Sequence, residues 1–117
     1  MRELITEAVV LGIRPHKEND RLIDFLTNAS GRIEALAVSG RKTASKLSPH
    51  CIFGSFVLAR LVLKNRITIA DSLTIVSLPE NLTFRSRTLL ILKVIRALIP
   101  FNARDPRIWA EISAIFG

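Results

Sequence analysis

The sequence predicts a mainly β fold followed by C-terminal helices, and three observations carry that prediction. Five short segments between Ile5 and Ile75 either alternate apolar and polar side chains or form brief apolar runs of strand length. Turn-rich clusters separate several of them: "PHKEND", "NASG" and "KNR". After Leu78-Pro79 the pattern changes to long apolar stretches with helical punctuation. With 117 residues, 49% of them hydrophobic, the chain has the size of one domain and enough apolar side chains for a core.

The first strand spans Ile5 to Arg14, where alternation places Ile5, Val9, Leu11 and Ile13 on one face beside Glu7. "PHKEND" then forms a connection to a short apolar run, Arg21 to Thr27. Asn28 to Gly31 reads as a hairpin turn with glycine at its end, and Arg32 to Val38 is the returning strand. "SGRKTASKLSPH", Ser39 to His50, follows as a loop. Ser55 to Lys64 alternates again, with Val57, Ala59, Leu61 and Leu63 on one face and Phe56, Leu58, Arg60, Val62 and Lys64 on the other. Lys64 to Arg66 is a tight turn, and Ile67, Ile69, Leu73 and Ile75 share a face of the fifth strand. Together these predict a five-stranded antiparallel barrel. The OB-fold is a barrel of this kind, and an SH3-like barrel fits the same pattern.

The second part predicts two helices. Asn81 or Thr83 caps the first, which runs from Leu82 to Ile99 and is stopped by Pro100. Its polar arc of Arg85, Lys93 and Arg96 is narrow, so the helix requires cover on most sides. Self-association of helix 82–99 through Leu90, Val94 and Leu98 is one way to supply it. Asp105 is an N-cap followed by Pro106 at N1, opening a short helix from Arg107 to Phe116. The expected organisation is a barrel over residues 1–78 and the start of a helical domain over 79–117.

Seventeen lysines and arginines against ten acids give a net charge of +7. That favours a polyanionic partner: nucleic acid, an anionic membrane surface or an acidic protein. The longest apolar run, Thr88 to Phe101, is interrupted by Lys93 and Arg96 and falls short of the roughly 20 residues that cross a bilayer. No membrane role is expected. The charge is also uneven. No acid occurs from Ala35 to Ala70, while Arg41, Lys42, Lys46, Arg60, Lys64 and Arg66 all lie in that window. Lysine and arginine supply the sequence-independent phosphate contacts of nucleic-acid binding, and Thr43, Ser45 and Ser48 add hydroxyl donors. The barrel region has only Phe25, Phe53 and Phe56 as aromatics, so backbone contacts rather than stacked bases are expected.

Catalytic chemistry finds little support. A single cysteine, Cys51, excludes a disulfide and a cysteine-based zinc site within this chain, and suits a reducing cytoplasm. Only His16 and His50 are available as bases, and neither a phosphate-binding glycine loop nor a serine elbow is present. Glu18, Asp20 and Asp24 are close in sequence, but they interleave with Lys17 and Arg21 and read as a charge-compensated turn rather than a Mg²⁺ site. The expectation is a protein that is not an enzyme and uses neither cofactor nor metal.

The stretch "PHKENDRLIDFLTNASGRIEALAVSGRKTASKL" resembles the N-terminal region of the RecO family of bacterial recombination mediators. The resemblance rests on the turn Lys17-Glu18-Asn19-Asp20, on Gly31, on Ser39-Gly40-Arg41-Lys42 and on Ser45-Lys46-Leu47, with "LPENL" before the apolar helix. It implies an OB-fold followed by an all-helical domain. It also implies binding of single- and double-stranded DNA, strand annealing and recombinase loading, with RecR and single-strand-binding protein as partners. By this resemblance Arg41, Lys42 and Lys46 are the leading DNA contacts, joined by Arg14, Lys17 and Arg66, with Lys64 and Arg60 from the charge window. Many members carry a zinc-binding cysteine cluster in the helical domain, which this chain lacks. A second expectation is a protein-interaction adaptor whose barrel docks RecR or another subunit and binds little DNA of its own.

Overall fold

A computed structural model describes residues 2–17, 19–38 and 53–116. Its strands are β1 (Arg2–His16), β2 (Asp20–Thr27), β3 (Gly31–Ala37), β4 (Phe56–Leu63) and β5 (Ile67–Val76), followed by helices α1 (Leu82–Leu98) and α2 (Pro106–Ile115). β1 is longer than its alternation predicts because it serves two neighbours. Arg2 to Val9 pairs with β4, and Ala8 to His16 pairs with β2. Pro15 and His16 therefore belong to the strand, opposite Arg21 and Asp20, and the turn shrinks to the residues between His16 and Asp20.

The strands close on themselves in the order β1-β2-β3-β5-β4. Every seam is antiparallel except β3–β5, which pairs parallel through Leu36 and Thr68. The barrel is thus mixed, not fully antiparallel as expected. The reason is arithmetic: strands of alternating direction cannot close an odd-numbered ring without one parallel seam.

The barrel interior holds Ala8, Val10, Ile23, Phe25, Ile33, Ala35, Ala37, Val57, Ala59, Leu61 and Ile69. β4 faces as its alternation predicts, whereas β1 and β5 do not keep one face throughout. On β1, Val9 and Leu11 point outward under the helices and Ile5 is exposed, while Ile13 packs against the interior. A register shift between Val10 and Gly12 moves the side-chain parity by one. On β5, Ile67 and Ile69 face the interior, but Leu73 and Ile75 are exposed. Here the shift lies where Arg60 pairs with Asp71 but Leu61 pairs with Ile69, leaving Ala70 as the additional residue.

A second apolar cluster lies outside the barrel. Val9, Leu11, Leu26 and Phe56 pack with Leu92, Ile99 and Ile112 of the helical segment. The Phe56 ring meets Trp109 and Phe116 at centroid distances of 5.8 and 5.5 Å. Asn81 is the cap of α1: its side-chain oxygen accepts from the backbone N–H groups of Thr83 and Phe84 at 3.0 and 3.3 Å. Asp105 caps α2 by accepting from the Arg107 N–H at 2.9 Å, with Pro106 in the first turn. α1 buries only Thr88 and Leu92, and leaves Leu82, Phe84, Leu90, Val94 and Leu98 exposed.

The helices are tied to the barrel by a buried ion pair. Asp24, on the outer side of β2, accepts from Arg32 Nε at 3.0 Å and Nη2 at 2.8 Å. It also accepts from Arg96 Nε of α1 at 3.1 Å. Arg32 Nη1 donates to the backbone carbonyls of Arg96 and Ile99 at 2.8 and 2.5 Å, and its guanidinium lies 4.1 Å over the Phe101 ring centroid. The Asp24 hydrogen bonds hold Arg32 above its ordinary pKa, against the opposing effect of burial. Main-chain bonds reinforce the tie: Arg32 N–H donates to Ala103 O at 3.2 Å, and Asn102 N–H donates to Arg32 O at 2.6 Å. Gly31, at φ +71°, leaves room for this crossing, because a Cβ there would collide with the Ala103 backbone.

Removing Arg32 leaves the buried Asp24 with Arg96 as its remaining cation among the described contacts, and removing Asp24 leaves Arg32 without its carboxylate. Asp24→Ala and Arg32→Ala are each expected to lower unfolding stability by about 3 kcal/mol or more in urea titration, against about 1 kcal/mol for the cap variant Asp105→Ala. Gly31→Ala should cost about 1–3 kcal/mol through its backbone angle alone, with the collision at Ala103 adding to it.

Candidate nucleic-acid interface

OB-folds bind oligonucleotides on the face of their second and third strands and through the β1–β2 and β4–β5 connections. In this chain the strand face is partly occupied. Gly12, Asp24 and Glu34 stand in one row across β1, β2 and β3. The Arg96 guanidinium lies so close over Gly12 that an added Cβ would sit 2.8 Å from Cζ. A pocket lined by Gly12, Arg14, Asp24, Arg32, Glu34 and Arg96 results. Its arginines are matched by carboxylates: Arg14 Nη2 meets Glu34 Oε2 at 3.1 Å, and Arg32 and Arg96 share Asp24. Phe101 is the aromatic at this pocket, and it is occupied beneath Arg32.

Both connections carry exposed cations. Lys17 sits in the β1–β2 turn with a left-handed φ of +53°, and its side chain is exposed. Lys64 and Arg66 are exposed in the β4–β5 turn, which is closed by a 3.3 Å bond from Lys64 N–H to Arg66 O. Pairing of Arg2 with Leu63 adds a third exposed cation at this end. Arg2 escapes sequence reasoning because only the β1–β4 register brings it to a turn more than sixty residues away.

Arg60 has a different setting. Its guanidinium meets Glu3 Oε1 at 3.1 Å and Asp71 Oδ2 at 2.8 Å. Hydrogen bonding to Asp71 raises the Arg60 pKa, and the same bond holds Asp71 below the usual carboxylate range. The window from Ala35 to Ala70 is free of acids in sequence, but β1 and β5 bring acids to it in space. Arg41, Lys42 and Lys46 lie outside the described residues, as do Glu18, His50 and Cys51. Asp24, one of the three clustered acids, is turned to Arg32 and Arg96. Among the described residues no group of three or more histidine, cysteine or acidic side chains is placed to hold a metal, and no helix is long and apolar enough to cross a membrane.

Comparison with known proteins places this barrel. A family model described as "Recombination protein O N terminal" matches residues 1–78, a span that takes in all five strands. The chain belongs to the RecO family. A curated relative, "DNA repair protein RecO" of Syntrophobacter fumaroxidans, is 33% identical over 48 residues. That match covers 41% of this chain and 19% of the relative, so the chain spans only a minor part of that relative's length. In this RecO-type barrel Lys17, Lys64 and Arg66 are exposed at the turns, while Arg14, Arg32 and Arg60 of the strands, and Arg96 of α1, are engaged by carboxylates.

Neutralised and exposed cations should behave differently toward a labelled oligonucleotide in salt titrations followed by fluorescence anisotropy. Lys64→Gln and Arg66→Gln are each expected to reduce the salt slope by about 1, and Arg60→Gln by much less. Asp71→Asn should raise affinity by removing one of the two carboxylates that neutralise Arg60 and leaving it with Glu3. Acidification acts in the same direction: because the folded-state pKa of Asp71 is depressed, the pair persists through neutral pH and is lost only as pH falls through that lowered value.

Proposed function

We propose that this chain is a DNA-binding module of a recombination mediator, acting in the cytoplasm on single- and double-stranded DNA during repair. The observation that carries the reading is the RecO family match over the whole barrel. Two further features support it: the +7 charge, and the exposed cations at the two connections that OB-folds use for oligonucleotides. In this reading Arg41, Lys42 and Lys46 contact phosphates together with Lys17, Lys64 and Arg66. A cationic surface with few aromatics neutralises two backbones while leaving base edges free to pair, which is what strand annealing requires. The module makes and breaks no covalent bonds, and RecR and single-strand-binding protein are its proposed partners in recombinase loading.

Anisotropy with a labelled oligonucleotide at low and moderate salt tests the reading. Binding should weaken steeply with salt, and replacing Arg41, Lys42 and Lys46 with Glu should flatten the slope by at least about 2–3. Absence of binding at low salt, or binding indifferent to the triple replacement, would overturn it. Annealing of complementary strands carrying a fluorophore and a quencher should accelerate with the unmodified chain and not with the triple variant.

A further inference from the structure

The outer face of β1, β4 and β5 differs in character from the cationic turns. Residues directly opposite one another share a face of a sheet. The register aligns Glu7, Leu58 and Leu73 in one row and Ile5, Arg60 and Asp71 in the next. Ile5 is 63% exposed, Leu58 38%, Leu73 59% and Ile75 49%. These side chains take no part in filling the barrel, whose interior is supplied by the opposite face through Val57, Ala59, Leu61 and Ile69. Glu3, Glu7 and Asp71 are exposed around them. The cation among these rows, Arg60, is held by Glu3 and Asp71. Three of the ten acids of a +7 chain thus surround one apolar patch.

We propose that this face docks a protein segment that presents apolar side chains flanked by lysine or arginine. An apolar centre with a charged rim is the usual anatomy of a protein interface. The sign of the rim selects a cationic partner and repels a phosphate backbone. A second copy of the chain is a poor occupant. Two chains of +7 repel, and a contact between this face and a different face of another copy is heterologous and does not close as a twofold dimer. The proposal stands independently of DNA binding.

The test uses the full chain, isotopically labelled for NMR, and a short synthetic amphipathic peptide of leucine and lysine. The chain's net charge opposes this peptide, so saturable binding requires a local acidic site. Shifts should cluster at Ile5, Leu58, Leu73 and Ile75. Glu7→Lys combined with Asp71→Lys should weaken binding by about tenfold or more, and Leu73→Ser should weaken it while the spectrum elsewhere keeps the native fold. A matching peptide of leucine and glutamate should not shift these residues, and oligonucleotide affinity should survive Leu73→Ser. Four results would overturn the proposal: no saturable binding, shifts mapping to α1 and α2 instead, binding indifferent to the charge reversals, or the same four residues responding to the oligonucleotide. Sedimentation showing self-association that Leu73→Ser abolishes would assign the face to a second copy and also overturn it.

Discussion

Asp24 is a carboxylate buried on the outside of a β-barrel, and the attachment of the helices follows from meeting its requirements. A buried charge without partners is too costly to retain. Arg32, one strand away, supplies two hydrogen bonds, and Arg96 of α1 supplies a third. The remaining Arg32 donor reaches the carbonyls of Arg96 and Ile99, which an ending helix leaves without internal partners. One guanidinium therefore satisfies the acid, closes the helix end and orients the chain that crosses Gly31. The Phe101 ring lies against its face as a cation–π partner.

The same attachment shapes the candidate interface. Docking α1 over Gly12 and Asp24 uses part of the strand surface on which an OB-fold would lay an oligonucleotide. Among the described residues of the barrel, exposed cations remain at Lys17, Lys64, Arg66 and Arg2, in or beside turns. The anchor and the binding surface thus draw on different arginines and lysines. Arg14, Arg32, Arg60 and Arg96 serve structure through carboxylates, where a planar guanidinium is well suited, while both exposed lysines of the two turns face solvent. The acids that quiet Arg60 also give the β1–β4–β5 face its own sign.

Much of this was legible from local pattern. The five strands, the turn at Asn28 to Gly31, the Asn81 and Asp105 caps and the stop before Pro100 all arise from interactions within a few residues, which period and cap chemistry report directly. β4 keeps one parity throughout its interior positions, so its core face was readable. The pattern along β1 and β5 does not report one face because an additional residue, near Leu11 or at Ala70, reverses the parity of the side chains that follow it, Leu73 and Ile75 among them. The parallel β3–β5 seam was implied by the strand count once closure is assumed, but closure itself is a long-range event.

The sequence by itself determined the strand and helix segments, the net charge and the family to which the barrel belongs, since each depends on residue identity in order along the chain. Only the tertiary structure decided which charges are available. Arg60 lies in a window without acids, yet register brings it Glu3 from 57 residues before and Asp71 from 11 after. Arg32 and Asp24 look like ordinary hairpin charges until α1, more than sixty residues later, buries them. Electrostatic partnership is set by distance in space and by exclusion of water, and both are properties of packing rather than of order along the chain.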